Sequence, residues 1–314
     1  MVSLILNENM KLYRRIRTWV MVVLMIGAVL LGSFMEWHYD DKSMQGDGWR
    51  TEIADEQRQM QQGLSSPDMG DDTKRYYQDQ ILINDYRLEH DIRPTSGTMW
   101  DGINGSAELI VLITLFTVII AGDSLAGEFA TGTIKLLLIR PASRFKIWLA
   151  KYLSLILFSL MLLCILFVVS VLFNGLLYGF GWMNLPLLEV NGSGQVAEYN
   201  MVANLWKTYL LNGVSTIIFV SMAFMISSAF RSSTMAIGIS IAALFAGAIL
   251  MELLQAYDWS RYLLFANIDL SQHLSGRPYQ EGMTLSFSII VLAIHFAVFN
   301  LVSWLVFTRR DVAA

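Results

Sequence analysis

The chain has 314 residues, of which 55% are hydrophobic and only 15% are charged, and its mean hydropathy is +0.49. A soluble domain carries about 25% charged residues, so this composition excludes an ordinary soluble protein. The 22 glycines and five prolines exclude a collagen-like chain. The single cysteine, Cys164, excludes a disulfide framework and a cysteine-based metal cluster. The composition predicts an integral membrane protein.

A membrane-spanning helix needs about 20 mostly apolar residues, because the hydrocarbon core is about 30 Å thick. Six stretches approach this length, and no proline lies within any of them. They are residues 19–35, 107–122, 147–173, 205–229, 234–254 and 283–307. Lys151, near the start of the third stretch, is expected to extend its long side chain to the interface. We predict an all-α membrane protein with six transmembrane helices.

The distribution of charge predicts the orientation of these helices, because Lys and Arg near span ends mark the cytoplasmic side. The segments on one side hold twelve basic and four acidic residues, a net charge of +8, and the remainder holds ten basic and 22 acidic residues, a net charge of −12. The four acidic residues on the basic side are Glu8, Asp123, Glu128 and Asp311. We predict a multi-pass plasma-membrane protein with both termini in the cytoplasm.

The N-terminal residues 1–18 form the first predicted element. Asn7, Lys11 and Arg14 share one helical face, and Ile5 and Leu12 lie on the opposite face. This pattern is typical of a helix that lies in the membrane interface. An ordinary basic tail is the alternative.

The largest predicted outside segment, residues 36–106, contains most of the acidic excess. From Glu36 to Asp101 it has 15 acidic and seven basic residues. Trp49–Gln62 and Thr73–His90 suit helices, and glycine, serine and proline separate them. We predict an extracellular helical hairpin, which acts either as a lid over a substrate path or as a passive solvated subdomain. A second outside loop, residues 255–282, carries aromatic side chains suited to the interface.

The longest predicted inside segment, residues 123–146, contains an apolar run that ends at Arg140-Pro141. Proline disfavours a helical conformation in the preceding residue, so a short helix is expected to end near Ile139. Ser143 is expected to cap the helix that follows. A brief helix with apolar side chains and basic flanks predicts a docking element for a partner protein. An interfacial turn is an equal alternative.

No phosphate-binding, nucleophile-elbow or metal-ligand motif occurs in the chain, so we predict no enzymatic activity, no metal site and no cofactor of its own. Polar residues inside spans are functional candidates. These are Asn212, Glu252, His295 and Asn300. His295 and Glu252 are either a proton-relay pair or ordinary packing residues. Small residues at four-residue spacing predict close helix packing, within the bundle or across a dimer. They are Gly238, Ala242 and Ala246.

The inside segment from Glu128 to Arg144 reads EFATGTIKLLLIRPASR and is followed by Lys151. This pattern resembles type-2 ABC exporter permeases, the transmembrane subunits of bacterial ABC transporters of the Gram-positive type. Residues 85–94, 264–270 and 307–311 are similar to such permeases as well. The first outside segment is longer than is common in that family.

The resemblance implies an interfacial elbow helix at residues 1–18 and a coupling helix at Thr131–Ile139 that docks on a separate ATPase subunit. Its coupling positions would be Glu128, Gly132, Thr133, Ile134, Lys135, Arg140, Pro141 and Arg144. Two ATPase subunits, which bind ATP and Mg²⁺, would act with this permease and a second one, identical or homologous, in the lipid bilayer. No nucleic acid is expected as a partner. The implied function is export of a peptide, drug or other amphiphile. A membrane sensor that uses the outside segment and a proton-coupled carrier remain alternatives.

Overall fold

A computed structural model of the chain describes residues 1–39, 48–65, 70–135, 142–181, 183–191, 194–273 and 278–309. These residues form two compact units. The first unit contains residues 1–27, 109–166 and 209–314, and the second contains residues 28–108 and 167–208.

Helices dominate both units. In chain order they are α1 Val2–Tyr13, α2 Ile16–Tyr39, α3 Trp49–Leu64, α4 Asp71–His90, α5 Met99–Ala107, α6 Ile110–Ala130, α7 Arg144–Tyr178, α8 Met201–Ala229, α9 Ser233–Leu254, α10 Leu264–Asn267 and α11 Leu285–Arg309. Two strands, β1 Pro186–Val190 and β2 Val196–Asn200, and two short 3₁₀ helices, Asp258–Tyr262 and Leu270–His273, complete the described elements.

Among the described residues, five helical segments are long and apolar enough to cross a membrane. They are Ile16–Tyr39, Met99–Ala130 (which joins α5 and α6), Arg144–Tyr178, Met201–Ala229 and Leu285–Arg309. Each of them overlaps one of the predicted spans. The predicted span 234–254 coincides with α9, in which Ser233–Gly247 is a shorter apolar stretch. The chain is therefore a predominantly helical membrane protein, and the number and direction of its crossings stay predictions.

Several helix ends follow from local sequence. The amide of Lys146 donates to Ser143 Oγ at 3.4 Å, so the expected cap lies immediately before α7. The helix α6 continues to Ala130, beyond the predicted end at residue 122. It stops where Gly132 adopts a φ of +71°, a left-handed conformation that favours glycine. The first eight residues of the predicted inside segment are thus the last two turns of a helix.

An antiparallel hairpin of β1 and β2 departs from the all-α prediction. Pro186 pairs with Asn200 at one end and Val190 with Val196 at the other. In the turn, Asn191 Oδ1 accepts a hydrogen bond from the amide of Gln195 at 3.0 Å, and Gly194 has a φ of +76°. The hairpin was missed because five-residue strands give a weak periodic signal beside long apolar helices.

Within the described part of the chain, the predicted small-residue face of α9 is not covered by another element. Gly238, Ala242 and Ala246 are all exposed among the described residues. The close approach involves another face, where a Cβ on Gly122 would lie 3.1 Å from the Cα of Ile237. Packing of these three residues within the bundle has no support among the described residues, and their packing across a dimer stays a prediction.

The core of the first unit contains an aromatic cluster that joins α7 and α8. The ring of Trp148 stacks on Tyr152 with centroids 5.8 Å apart, and Phe224 packs against both rings. Trp148 Nε1 donates to Ser303 Oγ on α11 at 3.0 Å. The cluster holds three helices of this unit together, and the indole donor, which would otherwise be buried unpaired, has a partner.

Within the second unit, Asn174 on α7 fits against a glycine on α5. The Asn174 amide nitrogen donates to Ser33 Oγ and to the Ser170 carbonyl, each at 3.0 Å. A Cβ on Gly102 would lie 1.9 Å from Asn174 Oδ1. A residue larger than glycine would therefore displace a buried, hydrogen-bonded side chain.

Gly102→Ala should lower the stability of the protein by about 1–3 kcal/mol, because overpacking outweighs the gain in helix propensity. The matched control is Gly32→Ala, since a Cβ at that helical glycine meets nothing within 4 Å. Thermal unfolding of the purified variants in detergent measures the difference. Equal melting temperatures for both variants would contradict the packing described here.

Candidate functional site

A buried lysine organises one end of the first unit. Lys151 lies in the second turn of α7, and its side chain is only 3% exposed. Its Nζ donates to Glu8 Oε2 at 2.8 Å and to Glu128 Oε1 at 3.0 Å. The expectation that Lys151 reaches out to the interface is therefore wrong, because two carboxylates meet its ammonium group inside the protein.

Lys11 completes this group of charges. Its Nζ donates to Glu8 Oε1 at 3.0 Å and to Glu128 Oε1 at 3.3 Å. Two ammonium groups and two carboxylates thus form a closed and neutral set, which we name the charge cluster: Glu8, Lys11, Glu128 and Lys151. The cluster connects α1, α6 and α7.

The four side chains of the charge cluster differ in their exposure to solvent, and this difference affects the strength of their ion pairs. Lys151 is almost fully buried and both carboxylates are 11% exposed, whereas Lys11 is 34% exposed. Burial of a charge costs several kcal/mol, and a partner recovers this cost only with good geometry. The ion pairs of Lys151 with the two carboxylates are therefore stronger than those of Lys11, which solvent weakens.

A second ionic contact holds the residues that follow α1. Asp123 Oδ2, one and a half turns before Glu128 on α6, accepts a hydrogen bond from Arg15 Nη1 at 2.9 Å and another from Arg17 Nη2. Its Oδ1 accepts from Ser233 Oγ, at the start of α9, at 2.5 Å. Gly127 leaves space for this carboxylate, because a Cβ there would lie 2.6 Å from Asp123 Oδ1.

The helix α1 buries the acidic side chain of Glu8 and exposes a row of apolar side chains. Glu8 is buried, whereas Val2, Leu6 and Met10, which follow one another at four-residue spacing, are 69%, 63% and 45% exposed. An amphipathic helix of a soluble protein has the opposite arrangement. Exposed apolar side chains on such a helix suit contact with lipid. They are not the predicted apolar face, because Ile5 and Leu12 are half-buried, and the interfacial position of the helix stays a prediction.

Side chains that follow α1 donate hydrogen bonds to carbonyl groups in its last turn. Thr18 Oγ1 donates to the Leu12 carbonyl at 2.7 Å, and Trp19 Nε1 donates to the Tyr13 carbonyl at 2.8 Å. The last carbonyls of a helix lack partners within the helix, so these side chains terminate α1. The predicted continuous amphipathic helix is therefore divided at Arg14 and Arg15.

The predicted coupling residues lie directly beside the charge cluster. Thr133 Oγ1 donates to the second carboxylate oxygen of Glu128. Ile134 is 3% exposed, and Lys135 is exposed. At the far end of the segment, Arg144 Nη1 donates to the Thr308 carbonyl near the end of α11 at 2.7 Å. Residues 136–141, which include the predicted coupling positions Arg140 and Pro141, lie outside the described residues.

The four polar candidates within the spans are not brought together. Glu252 is exposed, and His295 Nδ1 lies 2.8 Å from the Val291 carbonyl of its own helix. Both residues belong to the described part of the chain, and their side chains form no ion pair with each other. Asn300 Nδ2 donates to the Phe296 carbonyl at 2.9 Å, and the Asn212 carbonyl accepts from Thr216 Oγ1 at 3.1 Å.

The ion-pairing roles of Glu8 and Asp123 were not predicted from the sequence. Both appeared only as two of the four acidic residues on the predicted basic side. Three of those four, the third being Glu128, are the acceptors of the ionic contacts described above. An acidic residue in an otherwise basic segment was the signal that could have identified them.

Comparisons with known proteins place the chain in a family. A family model described as "Protein of unknown function (DUF2705)" matches residues 79–313. The chain belongs to the DUF2705 family. It is 39% identical over 318 residues to the "Uncharacterized protein YhcI" of Bacillus subtilis (strain 168), with 100% of both chains covered. It is also 31% identical over 207 residues to the "Uncharacterized membrane protein YdbK" of the same organism, with 65% of this chain and 79% of YdbK covered.

The part of the chain that matches DUF2705 includes Asp123, Glu128 and Lys151, whereas Glu8 and Lys11 precede it. The similarity to YhcI covers the whole chain, including α1. The description of YdbK as a membrane protein agrees with the five apolar helices of this DUF2705 protein.

Lys151→Met should lower the melting temperature by about 5 °C or more, because it leaves two buried carboxylates with only the partly exposed Lys11. The matched control is Lys146→Met, five residues earlier on the same helix, where the side chain is exposed. Thermal unfolding of both variants in one detergent gives the comparison. A Lys151→Met protein as stable as its control would contradict the charge cluster.

The charge cluster should also make the stability of the protein depend on pH. Burial opposes ionisation of Glu8, but Lys151 and Lys11 outweigh burial and hold its pKa below the ordinary value of 4.5. A lowered folded-state pKa stabilises the protein fully above the unfolded-state pKa, and this contribution is lost as pH falls through the folded-state pKa.

The difference in melting temperature between the wild type and Glu8→Gln should therefore stay constant from pH 7 to about 5 and shrink below about 4.5. Thermal unfolding of both proteins at several pH values across this range measures the difference. A difference that grows on acidification would contradict the assigned ion pairs.

Proposed function

We propose that this DUF2705 protein is the permease subunit of an ATP-driven exporter in the plasma membrane. Two separate ATPase subunits would supply the energy, with ATP and Mg²⁺ bound to them, and a second permease, identical or homologous, would complete the translocation path. The substrate class would be a peptide, drug or other amphiphile, and both termini would lie in the cytoplasm.

The main support for this proposal is the ion pair between Glu128, which begins the motif, and Lys151, which follows it. Glu128 and Lys151 lie 23 positions apart in sequence, and their side chains meet at 3.0 Å. Thr133, in the segment between them, donates to the same carboxylate of Glu128. The resemblance to exporter permeases implies that this segment docks on an ATPase, and the charge cluster would be the first structure to receive its movement.

A mechanism of coupling follows from these contacts. A displacement of residues 131–135 by a partner would act on Glu128, and through Lys151 and Glu8 on α7 and α1. Packed and ion-paired elements shift between discrete arrangements because partly broken pairs are costly. An ATPase that binds one arrangement more tightly than the other would shift the equilibrium of the membrane-spanning helices toward that arrangement.

The exposed apolar face of α1 supports an interfacial position for this helix. The exposed residues Gly238, Ala242 and Ala246 of α9 support contact with a second permease, since small residues allow close approach of membrane helices. The separation of the side chains of His295 and Glu252 gives the proton-coupled carrier no support.

The proposal predicts that the tagged chain, solubilised from its native membrane, copurifies with a subunit that carries a Walker motif. Lys135→Glu should reduce the recovered ATPase about tenfold, because Lys135 is exposed in the docking segment and reversed charge opposes association. Mass spectrometry of the eluate identifies and quantifies the ATPase.

Arg75→Glu is the matched control for this experiment. Arg75 is exposed on α4, within the segment predicted to lie on the outer face, and should leave the recovered ATPase unchanged. Purification of the wild type without any ATPase, or an equal effect of both substitutions, would contradict the proposed function.

A further inference from the structure

The turn from α1 into the start of α2 carries three arginines, Arg14, Arg15 and Arg17, all within the first unit. Arg15 and Arg17 both donate to the carboxylate of Asp123. Arg14 is exposed and forms no ion pair with any of the described residues. Three guanidinium groups thus lie at this turn with one carboxylate, which leaves a surplus of two positive charges.

The other acidic residues on this side of the protein do not cancel the surplus. The segments on the predicted cytoplasmic side contain four acidic residues in all, which are Glu8, Asp123, Glu128 and Asp311. Glu8 and Glu128 are already paired with the two lysines of the charge cluster. Asp311 lies outside the described residues. On this side, Asp123 is therefore the one described carboxylate that remains for the three arginines.

The two paired arginines remain accessible to a further acceptor. The side chains of Arg15 and Arg17 are 44% and 38% exposed, whereas that of Asp123 is 12% exposed. Both arginines bind the same oxygen, Asp123 Oδ2, because Oδ1 accepts from Ser233 Oγ. A guanidinium group has several N–H donors in a planar fork, so each of these arginines can bind Asp123 and a second anion together.

Large apolar side chains are exposed in the same stretch of the chain. Ile16, between the two paired arginines, is 82% exposed, and Trp19 is 57% exposed. Trp19 Nε1 donates to the Tyr13 carbonyl at 2.8 Å, so the indole is held at the turn. Tryptophan is enriched at the level of the lipid headgroups. A surface with surplus positive charge beside exposed apolar side chains is complementary to a lipid with an anionic headgroup.

We propose that this turn binds the phosphate of an anionic phospholipid, of the phosphatidylglycerol type, through Arg14, Arg15 and Arg17, while the acyl chains cover Ile16 and Trp19. Arginine binds phosphate through paired hydrogen bonds, and a zwitterionic lipid would bring its own ammonium group toward the surplus of positive charge. The site rests on the interfacial position of α1 that the proposed function includes. It needs neither an ATPase nor a transported substrate, so purification of the chain without an ATPase would leave it standing.

The test uses the full-length chain in phosphatidylcholine nanodiscs and two lipids with the same photoreactive acyl chain, a phosphatidylglycerol and a phosphatidylcholine. Mass spectrometry should find that residues 10–20 are labelled more strongly by the phosphatidylglycerol. Residues 289–302 of α11, which contain no Lys or Arg, should be labelled equally by both lipids. Unlabelled phosphatidylglycerol should displace the label at residues 10–20, and inorganic phosphate should not. An equal preference at the two segments, or displacement by inorganic phosphate, would overturn the proposal.

Substitutions of Arg14 separate the effect of charge from an effect on folding. Arg14→Gln should reduce the preference for phosphatidylglycerol at residues 10–20 about fivefold, because one basic residue near an anionic lipid surface contributes roughly that factor. Arg14→Lys retains the charge and should retain most of the preference. Lys146→Gln removes an exposed charge at the start of α7 on the same predicted side and should leave the preference unchanged. A preference that survives Arg14→Gln, or that falls equally in Lys146→Gln, would overturn the assignment of this site.

Discussion

Lys151 carries an ammonium group that is buried within the first two turns of a long apolar helix, and the arrangement of the charge cluster depends on this single constraint. A buried cation is tolerated only when carboxylates approach it closely. One carboxylate comes from α6 through Glu128, and the other comes from the N-terminal helix through Glu8. The partners lie 23 and 143 positions away in sequence, so the lysine joins segments that are distant from each other along the chain.

The same constraint explains the unusual orientation of α1. Because Glu8 must face Lys151, this side chain turns inward and Leu6 turns outward. In water such an arrangement would be unfavourable, but at a lipid surface the apolar face is solvated by acyl chains. The ionic contact of Asp123 with Arg15 and Arg17 fixes the turn that follows. The N-terminal segment is therefore held to the protein by ion pairs, and its exposed apolar side chains suit the interfacial position that we propose.

Composition and hydropathy were sufficient to predict the helical membrane architecture, because length and apolarity alone determine where a span is possible. They also predicted the helices that became α3 and α4, and the cap at Ser143. The β1–β2 hairpin was missed because its strands are short. The charge cluster was not predictable from one sequence, since a lone lysine near a span end has the same pattern whether it reaches solvent or meets a carboxylate. Only the acidic residues in a basic segment, Glu8 among them, gave a sign of it.

The charge cluster requires a direct ion pair between Lys151 and Glu8 inside the folded protein. Solid-state NMR of the chain in bilayers, with ¹⁵N at lysine Nζ and ¹³C at glutamate Cδ, measures this contact through the dipolar coupling between the two nuclei. This ion pair predicts a strongly coupled lysine signal, distinct from that of Lys11, in keeping with the 2.8 Å between Lys151 Nζ and the Glu8 carboxylate. The signal disappears in Lys151→Met, and its cross-peak to Glu8 is lost in Glu8→Gln. Lysine signals without such coupling in the wild type would contradict it.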